Sequence, residues 1–261
     1  MRSFVATARY EFTMQWRKRS VWIVTGVLAL LVVAISAGQL SFVFGASDPK
    51  VAMARATMLL QVLLPVGYGC LLADRLVRDR RIGVAEVLEA TPAGETARLV
   101  GKYVGSCAAT AFPILVLFLV VAAGYGVAEG EWAAAGWAFA IFVVVALPGL
   151  AFVGAAALAF PLVMPAPLFR VLFVGYWFWG NAVNPVAMPT TAQTVVAPEG
   201  SYGLRQFFGY DEEITRPPGD PFNVLRPEVS AATAVLSIAL LAVLTALLLA
   251  GARAVQSRST R

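Results

Sequence analysis

The groups in this chain that could do chemistry crowd into one segment. Between Ala73 and Tyr103, Arg75, Arg78, Arg80, Arg81, Arg98 and Lys102 stand against Asp74, Asp79, Glu86, Glu89 and Glu95. Gly101-Lys102 invites a nucleotide-binding reading. A phosphate-cradling loop needs G-x-x-x-x-G-K-[ST], and Thr96 and Tyr103 break that pattern at both ends. A nucleotide-binding fold also needs a large soluble α/β domain, for which the segment is too short. The chain has no histidine, and its two cysteines, Cys70 and Cys107, lack a C-x-x-C spacing. The usual transition-metal ligand sets are therefore missing, and both cysteines read as small packing residues. Neither H-E-x-x-H nor G-x-S-x-G occurs, which argues against zinc-protease and serine-hydrolase chemistry. No chemical step is expected on this chain, and no metal or cofactor bound by it.

The elements around the segment explain its setting. Of 261 residues 59% are hydrophobic and 13% charged, with a mean hydropathy of +0.77. A soluble domain carries about 25% charged residues, so the composition is that of a polytopic, all-α membrane protein forming a single domain over 1–261. Residues 74–103 lie between two long apolar runs. A charge at a bilayer centre costs about 2.5–3.5 kcal/mol, so this loop belongs in water, and its basic residues put it in the cytoplasm. After Gly83, Val84, Val87, Leu88 and Thr91 share one helical face, with Glu86 and Glu89 off it. Thr91-Pro92 ends that helix and can begin the next as N-cap and first residue. Spacing alone equally fits a helix resting on lipid headgroups.

The ordered series Arg78-Asp79-Arg80, Gly83, Glu86, Leu88, Ala90-Thr91-Pro92 and Gly101-Lys102 resembles the first cytoplasmic loop of ABC-2-type transporter permeases. The resemblance implies that Arg78, Asp79, Arg80, Gly83, Glu86, Leu88, Thr91 and Pro92 form a coupling helix that docks on a separate ATPase. It further implies two ABC ATPase subunits per complex, which carry the ATP and magnesium, and a second permease chain, identical or sibling. The cargo suited to such spans is amphiphilic or apolar: a drug, lipid or peptide. A different class of function uses the same loop in a membrane scaffold or assembly factor that recruits a soluble partner without transport.

Spans need roughly 20 apolar residues. Six stretches qualify: Val21–Phe44, Met53–Ala73, Val104–Val127, Trp132–Phe160, with a kink expected at Pro148, Leu168–Met188 and Ala231–Ala252. Residues 1–20 form an entry helix on which Phe4, Ala8, Phe12 and Trp16 share one face, suited to the membrane interface. Fifteen of the 20 Lys and Arg fall on the side of the N-terminus, the 74–103 loop and the C-terminus. Only Lys50, Arg55, Arg205, Arg216 and Arg226 fall on the other. Both termini are thus expected in the cytoplasm, in a cell (plasma) membrane. Basic residues at the ends of apolar spans also argue against a nucleic-acid stripe. The spans lack buried acids that could relay protons, which argues against a proton-driven carrier.

The outer loop, 189–230, carries aromatics and Asp211-Glu212-Glu213. Its length suits either a short helix over the outer mouth or a solvated connector. Gln39, Gln61, Asn181 and Asn184 are expected to hydrogen-bond between helices. Tyr176, Phe178, Trp179 and Asn181 form the candidate substrate pathway. Consecutive aromatics in Tyr176-Trp177-Phe178-Trp179 point around the helix axis, so at most two can line one path. In a cysteine-free background, single cysteines at Ser3, Gly94 and Ser257 should label only from the cytoplasmic side, and one at Gly200 only from outside. Outside labelling at Gly94 would overturn the topology.

Overall fold

The computed structural model describes residues 2–35, 38, 40–77 and 94–259. They form helices and connectors, with no strand among them. In chain order the helices are α1 Arg2–Trp16, α2 Arg19–Ile35, α3 Leu40–Phe44, α4 Pro49–Leu72, α5 Glu95–Glu129, α6 Ala133–Ile141, α7 Leu147–Ala159, α8 Ala166–Trp177, α9 Ser201–Phe208 and α10 Ala231–Ser259.

Local sequence sets the ends. Asp48 caps α4 by accepting from the Lys50 N–H at 2.8 Å, with Pro49 in the first turn. Gly130, at φ 80°, closes α5 in the left-handed conformation. Pro148 cannot donate to the preceding turn, yet it does not break its helix. The chain widens to a π turn over Phe142–Ala146, so Ala133–Leu162 remains one 30-residue apolar run.

Four helical runs are long and apolar enough to cross a membrane: Pro49–Val77, Glu95–Glu129, Ala133–Leu162 and Ala231–Arg258. A fifth exists if Phe4–Trp16 and Arg19–Ile35, bent by 62°, count as one span. The other two expected spans are shorter than their apolar stretches. Helix α2 ends at Ile35, and α8 continues through a π turn only to Ala182. Val183 is extended, and Asn184 precedes Pro185, where helical backbone is disfavoured.

The runs alternate between two ends of a bundle. One end is capped by 189–230; the other holds the stems of the 78–93 loop. The core is built where small residues admit large ones. Phe173 of α8 covers Gly69 of α4, Leu28 of α2 covers Gly67, and Trp177 is buried with its indole N–H donating to the Val62 carbonyl at 3.0 Å.

Helix α1, expected at the membrane interface, packs against protein. It runs parallel to α5, from Phe4 beside Gly101 to Trp16 against Phe112, in the most extensive helix pairing among the described residues. Gly101-x-x-x-Gly105 makes this possible, because small residues four apart let backbones touch. A Cβ on Gly105 would lie 2.3 Å from the Ala8 carbonyl oxygen. Gly105→Leu should therefore lower the thermal midpoint of the detergent-solubilised protein by several degrees, whereas Gly124→Ala, which meets nothing within 4 Å, should leave it unchanged. Equal midpoints for both variants would show that α1 is not held there.

Candidate functional site

The coupling-loop residues Arg78, Asp79, Arg80, Gly83, Glu86, Leu88, Thr91 and Pro92 lie outside the described residues. What is described is how the loop's two stems are held. Arg75, where α4 runs out, and Lys102, in the first turns of α5, were expected in water; both are buried, 8% exposed each. Each meets a polar group carried by α1. The Arg75 guanidinium donates to the Gln15 amide oxygen. The Lys102 ammonium lies 3.7 Å from the Glu11 carboxylate, which also accepts from the Ser106 hydroxyl at 3.4 Å. Glu11 is 6% and Gln15 1% exposed. A buried charge needs such partners, since removing one leaves the other uncompensated. One residue before Arg75, Asp74 pairs with Arg170 near the start of α8. Apolar packing completes the stem end: Leu76 joins Leu99 and Tyr103 of α5, Leu158 of α7 and Ala252 of α10. The Tyr103 hydroxyl donates to the Ala151 carbonyl at 2.9 Å.

Neither Glu11 nor Gln15 stood out in the sequence, because aromatic spacing dominated the reading of 1–20. The signal that could have found them is Gly101-x-x-x-Gly105: a glycine face on α5 needs a helix against it, and Lys102 beside that face needs an acid.

The candidate pathway residues end up beneath the cap. Trp177 points into the bundle. Tyr176 and Trp179 stack in a tilted pair, centroids 6.2 Å apart, and Phe222 of the cap meets Trp179 edge-on at 6.0 Å. The Trp179 indole N–H donates to the Pro189 carbonyl. Asn181 donates to the Trp177 carbonyl one turn back, and its amide oxygen is buried without a partner. Phe178, half-buried, begins the π turn. Of these, Trp179 ties this segment to the cap. None lines the open cavity of about 610 Å³ at the cap end, which is walled by Phe42, Arg55, Met58, Leu59, Tyr210, Asp211 and Glu212.

Of the polar residues expected to hydrogen-bond between helices, the described ones make other contacts. Gln61 donates to the Glu199 carbonyl in the cap at 3.4 Å. Asn184 accepts from the Val186 N–H in a local turn, and Gln39 lies outside the described residues.

The cap is an ordered lobe. Arg226, 1% exposed, lies 2.7 Å from Asp220 and donates to the carbonyls of Thr190 and Ala192 and to the side chain of Asn223. Helix α9 packs Tyr202, Leu204 and Phe208 inward. It is the short helix that the length of the loop allowed. Glu199 is buried at 3% exposure and accepts from the Gln193 N–H at 2.9 Å. Burial pushes its pKa up to about 7, only partly opposed by that hydrogen bond and by Arg205.

No protein-family model matches the chain, and no curated protein matches it.

Glu199 gives this lobe a pH dependence of known sign. Its folded pKa lies above the ordinary carboxylate value of 4.5, so the fold binds the proton more tightly than the unfolded chain does. Stability is lost as pH rises from about 4.5 to about 7 and stays low above that. Glu199→Gln removes the penalty, which amounts to at most about 3 kcal/mol. The variant should melt higher than wild type at pH 8 and no higher at pH 4.5. The check is a pair of melting curves at the two pH values; a gain of equal size at both would refute the assignment.

Proposed function

We propose that the chain is the transmembrane subunit of an ABC-2-type transporter, exporting an amphiphilic or apolar substrate with ATP hydrolysed on separate subunits. In this reading it has six spans: the four long runs, plus α2 and plus α8 with its π turn. Helix α2 has 17 residues, the short end of what a bilayer core requires. The stem end faces the cytoplasm with both termini, the cap faces outside, and the complex pairs two permease chains with two ATPases in the plasma membrane.

The observation that carries the reading is the fixing of both loop stems. Arg75 and Leu76 on one side, and Leu99, Lys102 and Tyr103 on the other, tie the loop to α1, α7 and α10. A push on 78–93 by a partner is then passed to several helices at once. A loop that only rests on lipid has no need of stems held this way.

Leu88→Ala and Glu86→Ala should each weaken capture of the cognate ABC ATPase at least tenfold, or uncouple its hydrolysis from substrate. Truncating an interface anchor costs about 2 kcal/mol or more. Insertion and expression should stay normal, and Arg258→Ala should have no effect. The measurement is a pull-down followed by hydrolysis rates in nanodiscs. Unchanged capture and unchanged substrate-stimulated hydrolysis in both loop variants would remove the coupling assignment. Capture of a soluble partner that does not hydrolyse ATP would favour the scaffold.

A further inference from the structure

The cavity at the cap end belongs to none of the devices described so far. It opens between Phe42 of α3, Arg55, Met58 and Leu59 of α4, and the segment after α9 that carries Asp211 and Glu212. Its volume, about 610 Å³, falls within the roughly 300–1,000 Å³ of small-molecule sites. One wall is apolar, made by Phe42, Met58 and Leu59. The other is charged, and its carboxylates outnumber its cations two to one.

The hydrogen bonding decides which sign of ligand fits. Every nitrogen of Arg55 is committed. Nη2 meets Asp211 at 2.5 Å and Nε meets it at 3.4 Å, while Nη1 donates to the Phe42 carbonyl at 2.8 Å. An anion entering the cavity would meet one guanidinium already paired with a carboxylate and a carbonyl, and two carboxylates. Asp211 stays ionised, its pKa held below the usual value by its hydrogen bond from Arg55. Glu212 accepts from the Tyr210 hydroxyl at 2.5 Å and has acceptor capacity left. The site also holds a cation of its own: the Arg55 guanidinium lies 4.2 Å from the centroid of the Phe42 ring, and carboxylate and ring together hold it.

We infer that this cavity is a binding site for a hydrophobic organic cation, a positively charged centre carried on an apolar body. The apolar body lies against Met58, Leu59 and Phe42, and the charge faces Glu212 and Asp211. Such a ligand needs no hydrogen-bond donors, because the carboxylates act on its charge. The inference is independent of the transporter reading, since it requires neither an ATPase nor transport.

The test uses the full chain, without partners, in nanodiscs of zwitterionic lipid. The probes are tetraphenylphosphonium and tetraphenylborate, ions of the same shape and opposite charge, measured as the saturable component above lipid partitioning. Saturable binding is expected for the phosphonium and not for the borate. Glu212→Gln should weaken the phosphonium at least tenfold by removing charge, and Leu59→Trp should do so by filling the cavity with the charges kept. Val224→Ala, at an exposed cap position outside the lining, should leave binding unchanged. Each variant is compared at a thermal midpoint matching wild type, and Leu59→Phe replaces Leu59→Trp if the larger ring lowers it. The inference is overturned by absence of saturable phosphonium binding, by equal binding of both ions, or by wild-type affinity in both Glu212→Gln and the Leu59 variant.

Discussion

Two helix backbones can touch only where side chains are missing, and the stem end of this protein depends on one such contact. Gly101 and Gly105 bring α1 against α5 so closely that the carbonyls of Phe4 and Ala8 occupy the space of absent Cβ atoms. That proximity carries Glu11 and Gln15 into a seam where water is excluded. Once there, the carboxylate must find a cation, and Lys102 follows Gly101 directly, within reach. Gln15 then reaches Arg75, on the other side of the loop. A helix from the start of the chain thereby becomes a brace between two segments separated by the whole 78–93 stretch.

The opposite end follows the same rule with different chemistry. A segment rich in proline cannot satisfy itself with helical hydrogen bonds, so its carbonyls need donors from elsewhere. Arg226 and Arg216 supply them: Arg226 to Thr190 and Ala192, Arg216 to the carbonyls of Arg226 and Pro227. The planar guanidinium suits this role because it presents several donors in a fixed geometry. The result is a lobe that seats Tyr202 and Leu204 on the bundle with almost no exposed area.

Apolar run length was readable because it reports a property of each stretch by itself. The runs at Met53–Ala73, Val104–Val127 and Ala231–Ala252 fall within long helices of the structure, and Trp132–Phe160 does so from its second residue. Their ends were less readable: an Asn-Pro step stops α8, and a π turn absorbs Pro148, neither of which hydropathy can see. The polar residues were hardest. Summing charges placed Arg226 and Lys102 on opposite faces of a membrane and gave no hint that both are buried. Arg226 has Asp220 and Asn223 nearby but also donates to Thr190, 36 residues away, and Lys102 meets Glu11 from further still; no local pattern encodes those distant pairings. Gly101-Lys102 was legible as a pair, but the glycine that explains it stands four residues on.

Helix α5 is 35 residues long, about 52 Å at 1.5 Å per residue. A bilayer core is only about 30 Å thick, so in the proposed arrangement roughly 20 Å of this helix would stand clear of the hydrocarbon. In the proposed transporter such a rod would be a lever with its fulcrum in the membrane. A tilt of about 10° moves either tip by roughly 5 Å, close to one helical turn of 5.4 Å. At one tip lies the seam with Glu11; near the other, the Tyr125 hydroxyl donates to the Ala46 carbonyl at 2.6 Å, beside the turn that leads into α4. Leverage of this kind would let a small displacement at one tip change side-chain neighbours at the other without any helix having to unwind.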